Sequence, residues 1–222
     1  MNLYIIATPI GNLEDITLRA LRILKEVDII FCEDTRTTRV LLNHYNITTP
    51  TDSFYAQSKL SKMDKIINLL KEGKNLALVS DAGTPAISDP GSILVAKIRQ
   101  DLPEAKIIPI PGASSLTATF SASGVLGGEF TFLGFLPHKK GRETLFKEIA
   151  ESKRPYIFFE SPHRIEKALE SIKKFAPEKK LVIGRELTKI YEEFLLGTAE
   201  EIQEIFKEKP EKIRGEFVVI VH

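Results

Sequence analysis

Sulfur chemistry and the common phosphate cradles are nearly absent from this chain. Cys32 is the only cysteine in 222 residues, which excludes an internal disulfide and a cysteine-based zinc site. Free cysteines are among the most buried residue types, so Cys32 is expected to be an apolar core residue rather than a nucleophile. The four histidines, His44, His138, His163 and His222, are scattered and form no H-x-x-x-H pair. A metal hydrolase is therefore disfavoured, and nothing in the sequence requires a metal. There is no G-x-G-x-x-G and no G-x-x-x-x-G-K-[ST] match, so hydride transfer from a dinucleotide and P-loop phosphoryl transfer lose ground. No apolar run approaches a membrane span. The N-terminal Met1–Ile6 has no basic segment ahead of its apolar run and reads as a strand, not a signal peptide. The cytoplasm is the expected compartment, with no membrane partner.

What is present is an ordinary globular composition, 43% hydrophobic and 27% charged, with a net charge of +1. That balance hides an asymmetry. From Pro137 to Lys189 there are fourteen Lys and Arg against eight Asp and Glu; from Ile190 to His222 there are four against eight. A basic middle suits an anionic polymer held by one face, or equally a set of solvated helix faces. Apolar runs at 3–7, 27–32, 76–79 and 106–110 alternate with helical patterns near 16–26, 36–45, 60–72 and 90–101. Parallel strands need crossovers, so this alternation predicts βαβ units. Further on, candidate strands lie at Phe130–Leu133, Tyr156–Phe159, Leu181–Ile183, Tyr191–Leu196 and Phe217–Val221, with helices at 142–152, 164–175 and 199–208. Only one helix separates the last three strands, so some of their pairing is expected to be antiparallel. The pattern gives two α/β domains, the second with a mixed sheet.

The chemistry-bearing residues gather at the predicted strand ends. The richest stretch is Ser80-Asp81-Ala82-Gly83-Thr84-Pro85-Ala86-Ile87-Ser88-Asp89-Pro90-Gly91. It follows the strand Leu76–Val79 and precedes a helix, with Asp89 suited to the N-cap and Pro90 to the first helical position. Carboxyl ends of strands are where open α/β sheets bind small ligands. Gly83 and Gly112 allow close backbone approach, and the Gly112-Ala113-Ser114 turn opens a helix whose N-terminus suits a carboxylate. Each turn read singly is as well explained by loop closure. Glu33, Asp34 and Arg36 are either an active-site cluster or an ion pair with helix capping. Glu160 and Arg164, in Phe159-Glu-Ser-Pro-His-Arg164, are placed to face a cleft. Glu186 and Lys189 stand before a strand, where they would position a hydroxyl or a phosphate. Lys139, Lys140 and Arg142 occupy a Gly-containing loop that would neutralise RNA phosphates or merely solubilise the surface.

These stretches come in a characteristic order: Ala7–Asp15, Cys32–Arg39, Ser80–Gly91, Pro109–Ser115, Gly134–Pro137, Phe159–Arg164, Arg185–Lys189 and Gly215–Val218. In order and spacing the chain resembles the ribosomal RNA small subunit methyltransferase I family, of the tetrapyrrole-methylase fold. The resemblance covers nearly all of the chain. Ala113 departs from it, standing where the family usually has a second proline, and many members carry a further C-terminal segment. The resemblance implies a two-domain fold, residues 1–113 with a mostly parallel sheet and 114–222 with a mixed one, and S-adenosylmethionine in the cleft between them. It gathers Pro9, Gly11, Ser80, Asp81, Ala82, Gly83, Thr84, Gly112, Ala113, Ser114, Phe135 and Leu136 as cofactor residues. It leaves Glu33, Asp34, Glu160, Glu186 and Lys189 as catalytic candidates, and Lys139, Lys140, Arg142 and Arg164 as RNA contacts. The reaction it implies is methyl transfer to the ribose 2′-hydroxyl of a cytidine in the decoding region of 16S rRNA, by a homodimer whose partner is the 16S rRNA or the small ribosomal subunit. Two other readings stay open: a tetrapyrrole C-methyltransferase of the same fold, and a non-catalytic ribosome-binding module that keeps the cofactor pocket.

Overall fold

The computed structural model describes residues 1–55 and 60–222, in two compact units, Met1–Ser114 and Ser115–His222. The first unit is a five-stranded sheet of β1 (Asn2–Ile6), β2 (Ile29–Cys32), β3 (Thr51–Ser53), β4 (Asn75–Val79) and β5 (Lys106–Ile110). Its order is β3-β2-β4-β1-β5, and every pairing is parallel. The connections are α1 (Leu18–Glu26), α2 (Thr35–His44), α3 (Leu60–Lys71) and α4 (Gly91–Asp101). The predicted strands and helices recur here within a few residues. The short edge strand β3 carries no apolar signal in Thr51-Asp52-Ser53 and was invisible in the sequence pattern.

Both faces of this sheet are buried, which is why its strands read as continuous apolar runs rather than alternating ones. Ile6, Ile30, Cys32, Ala77 and Val79 pack on one side with Ala20, Ile23 and Leu24 of α1 and Leu41 and Leu42 of α2. Leu3, Phe31, Leu76 and Leu78 pack on the other with Ile66, Ile67 and Leu70 of α3 and Leu94 and Ile98 of α4. Chain direction then fixes a special point. From β1 the chain leaves toward β2 over one face; from its neighbour β4 it leaves toward β5 over the other. Adjacent strands whose crossovers diverge open a crevice at their carboxyl ends.

The second unit has the sheet order β6-β7-β10-β8-β9, from β6 (Thr131–Phe135), β7 (Tyr156–Glu160), β8 (Lys180–Arg185), β9 (Glu193–Thr198) and β10 (Phe217–Val221). Only β6 and β7 are parallel; β10 and β9 pair antiparallel with their neighbours. The mixed sheet follows from the connections: β8 reaches β9 through a short loop, which permits only antiparallel pairing. Helices α6 (Arg142–Glu151), α7 (Ile165–Phe175) and α8 (Ala199–Glu208) cover one face around Phe146, Ile149, Leu169, Ile172, Ile202 and Phe206. Thr198 opens α8 with a capping box, its side chain accepting from Glu201 N while Glu201 accepts from Thr198 N. On the opposite face α5 (Ser115–Ala122) packs closely enough that a Cβ on Gly184 would stand 3.0 Å from Thr119. Among the described residues no helix is long and apolar enough to cross a membrane.

Phe158 lies in the helix-covered core of the second unit, fully buried. Phe158→Ala should lower stability by about 3–5 kcal/mol, the range for large core truncations. A urea titration followed by circular dichroism checks this; a midpoint equal to wild type would show that the cluster is not a packed core.

Candidate active site

Three loops meet at the carboxyl ends of β1, β4 and β5. Thr8 N donates to Gly83 O at 2.9 Å and Gly83 N to Thr8 O at 3.0 Å, a two-bond bridge between the first loop and the second. Thr8 Oγ1 donates to Ser80 O at 3.0 Å, and Ser80 Oγ to Gly83 O at 3.1 Å. Thr84 Oγ1 reaches across to Ala113 O at 3.2 Å, joining the third loop. The hydroxyls of Thr8, Ser80 and Thr84 are therefore engaged in holding the loops.

The two glycines at this junction answer to loop closure, the alternative that the sequence left open. Gly83 sits at φ +81 with Ile10 Cγ2 3.3 Å from where a Cβ would be, and a Cβ on Gly112 would come within 2.9 Å of the Ala7 side chain. Both are required by loop-on-loop packing whether or not a ligand is present. Pro9 is buried beneath the first loop, while Gly11, Asp81, Ala82 and Gly112 are exposed, Ala113 and Ser114 half-buried. Asp89 also differs from expectation by one position. Helix α4 begins at Gly91 with Pro90 in the N-cap place. Asp89 still caps it, accepting from Gly91 N at 2.6 Å, and its second oxygen accepts from Ala86 N at 2.7 Å. That second bond restrains a loop in which Ala86 (φ 69) and Ser88 (φ 64) both hold left-handed backbone, strain of the kind that collects at functional sites.

The end of β2 joins the group. Asp81 accepts from Asp34 N at 3.0 Å. Glu33 and Asp34 are neighbours with opposite electrostatics. Arg36, bonded to both oxygens of Asp34 with Nη2 at 2.7 Å, holds that carboxyl down at about 2. Burial pushes the half-buried Glu33 carboxyl up, Asp89 and Asp81 push it the same way, and only the Asp81 backbone N–H opposes them. Adjacent carboxyls driven apart by their surroundings suit different tasks in proton transfer. Cys32, just before them, is fully buried, and burial raises its thiol, so it is no ready nucleophile.

The remaining candidates belong to the second unit. Phe135 and Leu136 follow a one-residue bulge in which β6 slips against β7 at Gly134 (φ 64). The bulge turns Phe135 outward, 56% exposed with its ring 5.6 Å from Phe159, and Leu136 inward. Glu160 and Arg142 differ from expectation. Glu160 shares the strand parity of Tyr156 and Phe158, so it points beneath the helices and is 2% exposed. Arg142 is the first residue of α6, where the helix expected over 142–152 begins, but it is only 8% exposed, with Nη1 donating to Pro137 O at 3.2 Å. A guanidinium buried there does not present itself to a phosphate. Lys139 and Lys140 are exposed and, among the described residues, form no ion pair within 4 Å. Arg164 is mostly buried, pairing with Glu160 at 3.4 Å. Glu186 (φ 50) packs its carboxylate where a Cβ on Gly215 would collide with it, and Lys189 is bonded to it at 3.0 Å. Arg185, which opens the Arg185–Lys189 stretch but was not among the site candidates, is 6% exposed and paired with Glu193 at 3.3 Å; its burial carried no sequence signal, since both faces of β8 are apolar.

The site predicts a stability effect whose sign can be worked out. A carboxyl whose folded pKa lies above its ordinary value of 4.5 contributes most below that pH, and the contribution is lost as pH rises through the folded pKa. Glu33→Gln removes this penalty. Thermal melts across pH should show the variant close to wild type at acid pH and more stable at neutral pH; an advantage confined to acid pH would contradict the buried environment described here.

Comparison with known proteins agrees with this architecture. Residues 2–203 match the family model of tetrapyrrole (corrin/porphyrin) methylases. The chain is 47% identical over 99% of its length to the ribosomal RNA small subunit methyltransferase I of Halalkalibacterium halodurans, covering 75% of that protein. It is 45% identical over 99% of its length to the protein of the same name from Thermotoga maritima, covering 97% of it. Among solved structures, a cobalt precorrin-4 methyltransferase is similar with a TM-score of 0.69 at 18% identity, over 99% of this chain and 94% of that one. The uroporphyrin-III C-methyltransferase of Thermus thermophilus gives 0.65 at 17%, over 99% and 93%; at such identities the likeness concerns the fold. With its parallel sheet, stitched carboxyl-edge loops and mixed second sheet, the chain belongs to the tetrapyrrole methylase family and is an S-adenosylmethionine-dependent methyltransferase.

Proposed function

We propose that this enzyme methylates small-subunit ribosomal RNA, at the ribose 2′-hydroxyl of a cytidine in 16S rRNA. The observation that supports the substrate class most is the contrast in identity. Proteins named for ribosomal RNA share 42–47% with the chain over nearly its whole length, whereas the tetrapyrrole enzymes share its fold at 17–18%. That contrast also sets the tetrapyrrole C-methyltransferase reading behind this one.

The residues present fit the cofactor. The carboxylate of Asp81 suits hydroxyl and ammonium donors and a cationic sulfur, and the exposed backbone at Ala82 and Gly112 lets a ligand approach the sheet edge. Asp81, Ala82, Gly83, Gly112, Ala113 and Ser114 would hold S-adenosylmethionine at the carboxyl edge of the first sheet. When bound, it supplies a methyl group activated by its sulfonium. The protein's own task is orientation of the acceptor oxygen, which provides much of the acceleration in such transfers. A 2′-hydroxyl is weakly acidic, so a positioned base helps. Among the five candidates Glu33 suits that role best. Asp34 is bound by Arg36, Glu160 is enclosed under the helices, and Glu186 and Lys189 are paired with each other. Of the four cations read as RNA contacts, Lys139 and Lys140 are the exposed ones and would meet RNA phosphates. The resemblance also implies a homodimer, and the exposed Leu126, Ile190, Tyr191 and Leu196 of the second unit are apolar surface a second copy would cover.

Incubation with labelled S-adenosylmethionine and small ribosomal subunits, followed by nuclease digestion, should yield 2′-O-methylcytidine. Label in a tetrapyrrole precursor instead, or in no RNA, would overturn the reading. Glu33→Gln should lower kcat by about 10²–10⁴, the usual worth of a general base, with cofactor binding retained. Sedimentation as a monomer at assay concentration would remove the dimer from the proposal.

Removing a cation that neutralises one phosphate lowers the salt slope of RNA binding by about 0.7–0.9. Replacing Lys139 and Lys140 together by Ala should therefore flatten the slope by about one to two, with cofactor affinity unchanged. A slope identical to wild type would make the two lysines solvated surface.

A further inference from the structure

The carboxyl edge of the first sheet is acidic. Glu33, Asp34, Asp81 and Asp89 stand there, and Glu14 and Asp15 are exposed on the first loop. No Lys or Arg occurs in 7–16, 80–96 or 107–122, the segments that carry the three loops stitched together at this edge. Lys62 and Lys65, early in α3, are both bound to Asp52, at 2.6 and 3.0 Å. A polyanion that brought a ribose to Glu33 would meet a row of like charges, which repel it.

Helix α2 is the exception. It begins two residues after Glu33 and contains no Asp or Glu. Thr38, Leu41 and Leu42 form its buried stripe. That leaves Arg36 and Arg39 exposed, three residues apart and so neighbours on the helix surface. The two arginines are held differently. Arg36 lays one edge of its guanidinium on Asp34, with Nε and Nη2 donating to the carboxylate at 3.1 and 2.7 Å, yet its side chain remains 90% exposed. Among the described residues Nη1 makes no hydrogen bond, so the second edge of the fork is open to solvent and already oriented. An arginine fork of this kind matches phosphate geometry, and holding it in advance reduces the ordering cost of binding. Arg39 forms no ion pair within 4 Å among the described residues. A surface pair as exposed as Arg36 and Asp34 contributes little to stability, and Arg39 contributes no pair at all. Neither arginine is explained by what holds α2 in place.

We propose that Arg36 and Arg39 form a phosphate-binding strip on α2, which holds the RNA backbone beside the nucleotide whose 2′-hydroxyl faces Glu33. The strip offsets the repulsion of the acidic edge where the acceptor must approach. The inference rests on the reading of the substrate as small-subunit RNA with Glu33 as the base.

Retention of small ribosomal subunits on filters across a salt series tests it. Replacing Arg36 and Arg39 together by Ala should lower the salt slope by about one to two, from one phosphate contact each. Calorimetry should show S-adenosylmethionine binding as in wild type. Arg99→Ala serves as the control, since Arg99 is exposed on α4, whose core residues pack on the opposite face of the sheet; its slope should equal wild type. An unchanged slope in the double variant overturns the proposal. So does an equal drop in Arg99→Ala, which would mean that a cation anywhere on the surface serves as well. Arg36→Ala also frees Asp34, so Arg39→Ala alone carries a separate expectation. Arg39 makes no hydrogen bond or ion pair among the described residues, and alanine is the best helix former, so α2 stays intact while the slope falls by about 0.7–0.9. Loss of cofactor affinity in Arg39→Ala, with the slope unchanged, overturns the assignment to RNA. Wild-type protein that retains no subunits sinks the RNA reading and this proposal together; wild type that binds beside a double variant of the same slope sinks the proposal alone.

Discussion

The site loops of the first unit depend on the reciprocal hydrogen bonds between Thr8 and Gly83. They sit where β1 and β4 end side by side and the chain departs over opposite faces of the sheet. Without them the two loops would diverge with their crossovers, and the crevice would have no floor. Around this bridge the other contacts are consequences. Ser80 and Thr84 commit their hydroxyls to neighbouring carbonyls, Gly112 closes against Ala7, and Asp81 is left pointing outward with one oxygen on Asp34 N. The outcome is a rigid edge whose remaining polar groups face solvent, the condition a preorganised site needs.

The second unit solves a similar problem with buried charge instead of backbone pairing. Its bulge at Gly134 breaks the regular ladder between β6 and β7, and just past the end of β6 the carbonyls of Leu136 and Pro137 are bonded by guanidiniums from the starts of α7 and α6. Both devices act at the carboxyl ends of parallel strands, where each chain segment passes from sheet to helix. The first unit relies on small residues and tight turns, the second on long side chains reaching back under a helical layer. Electrostatics then differentiates neighbours that composition makes alike. Glu33 and Asp34 are adjacent carboxyls, yet one is lifted by burial and two acids and the other is held down by Arg36.

Apart from strand β3, the element order was legible in the linear pattern, as were the parallel character of the first sheet and the mixed character of the second. They follow from period, turn chemistry and connection length, which are local properties. The loops that carry the site were legible too, because Gly, Pro and carboxylates cluster where strands end. Strand β3 was not, since Thr51-Asp52-Ser53 is held by its partner β2 and not by any apolar content of its own. Which way the side chains of the site loops face emerged only from the folded arrangement. In β7 residues of both parities are apolar, Tyr156 and Phe158 on one face and Ile157 and Phe159 on the other, so no pattern could show that Glu160 points beneath the helices. Arg142 was legible as a cation beside a glycine, but its burial depends on the start of α6 packing near Glu160 at the end of β7 and Arg164 before α7. The direction of a charge is set by packing between elements, and packing is what a linear pattern does not contain.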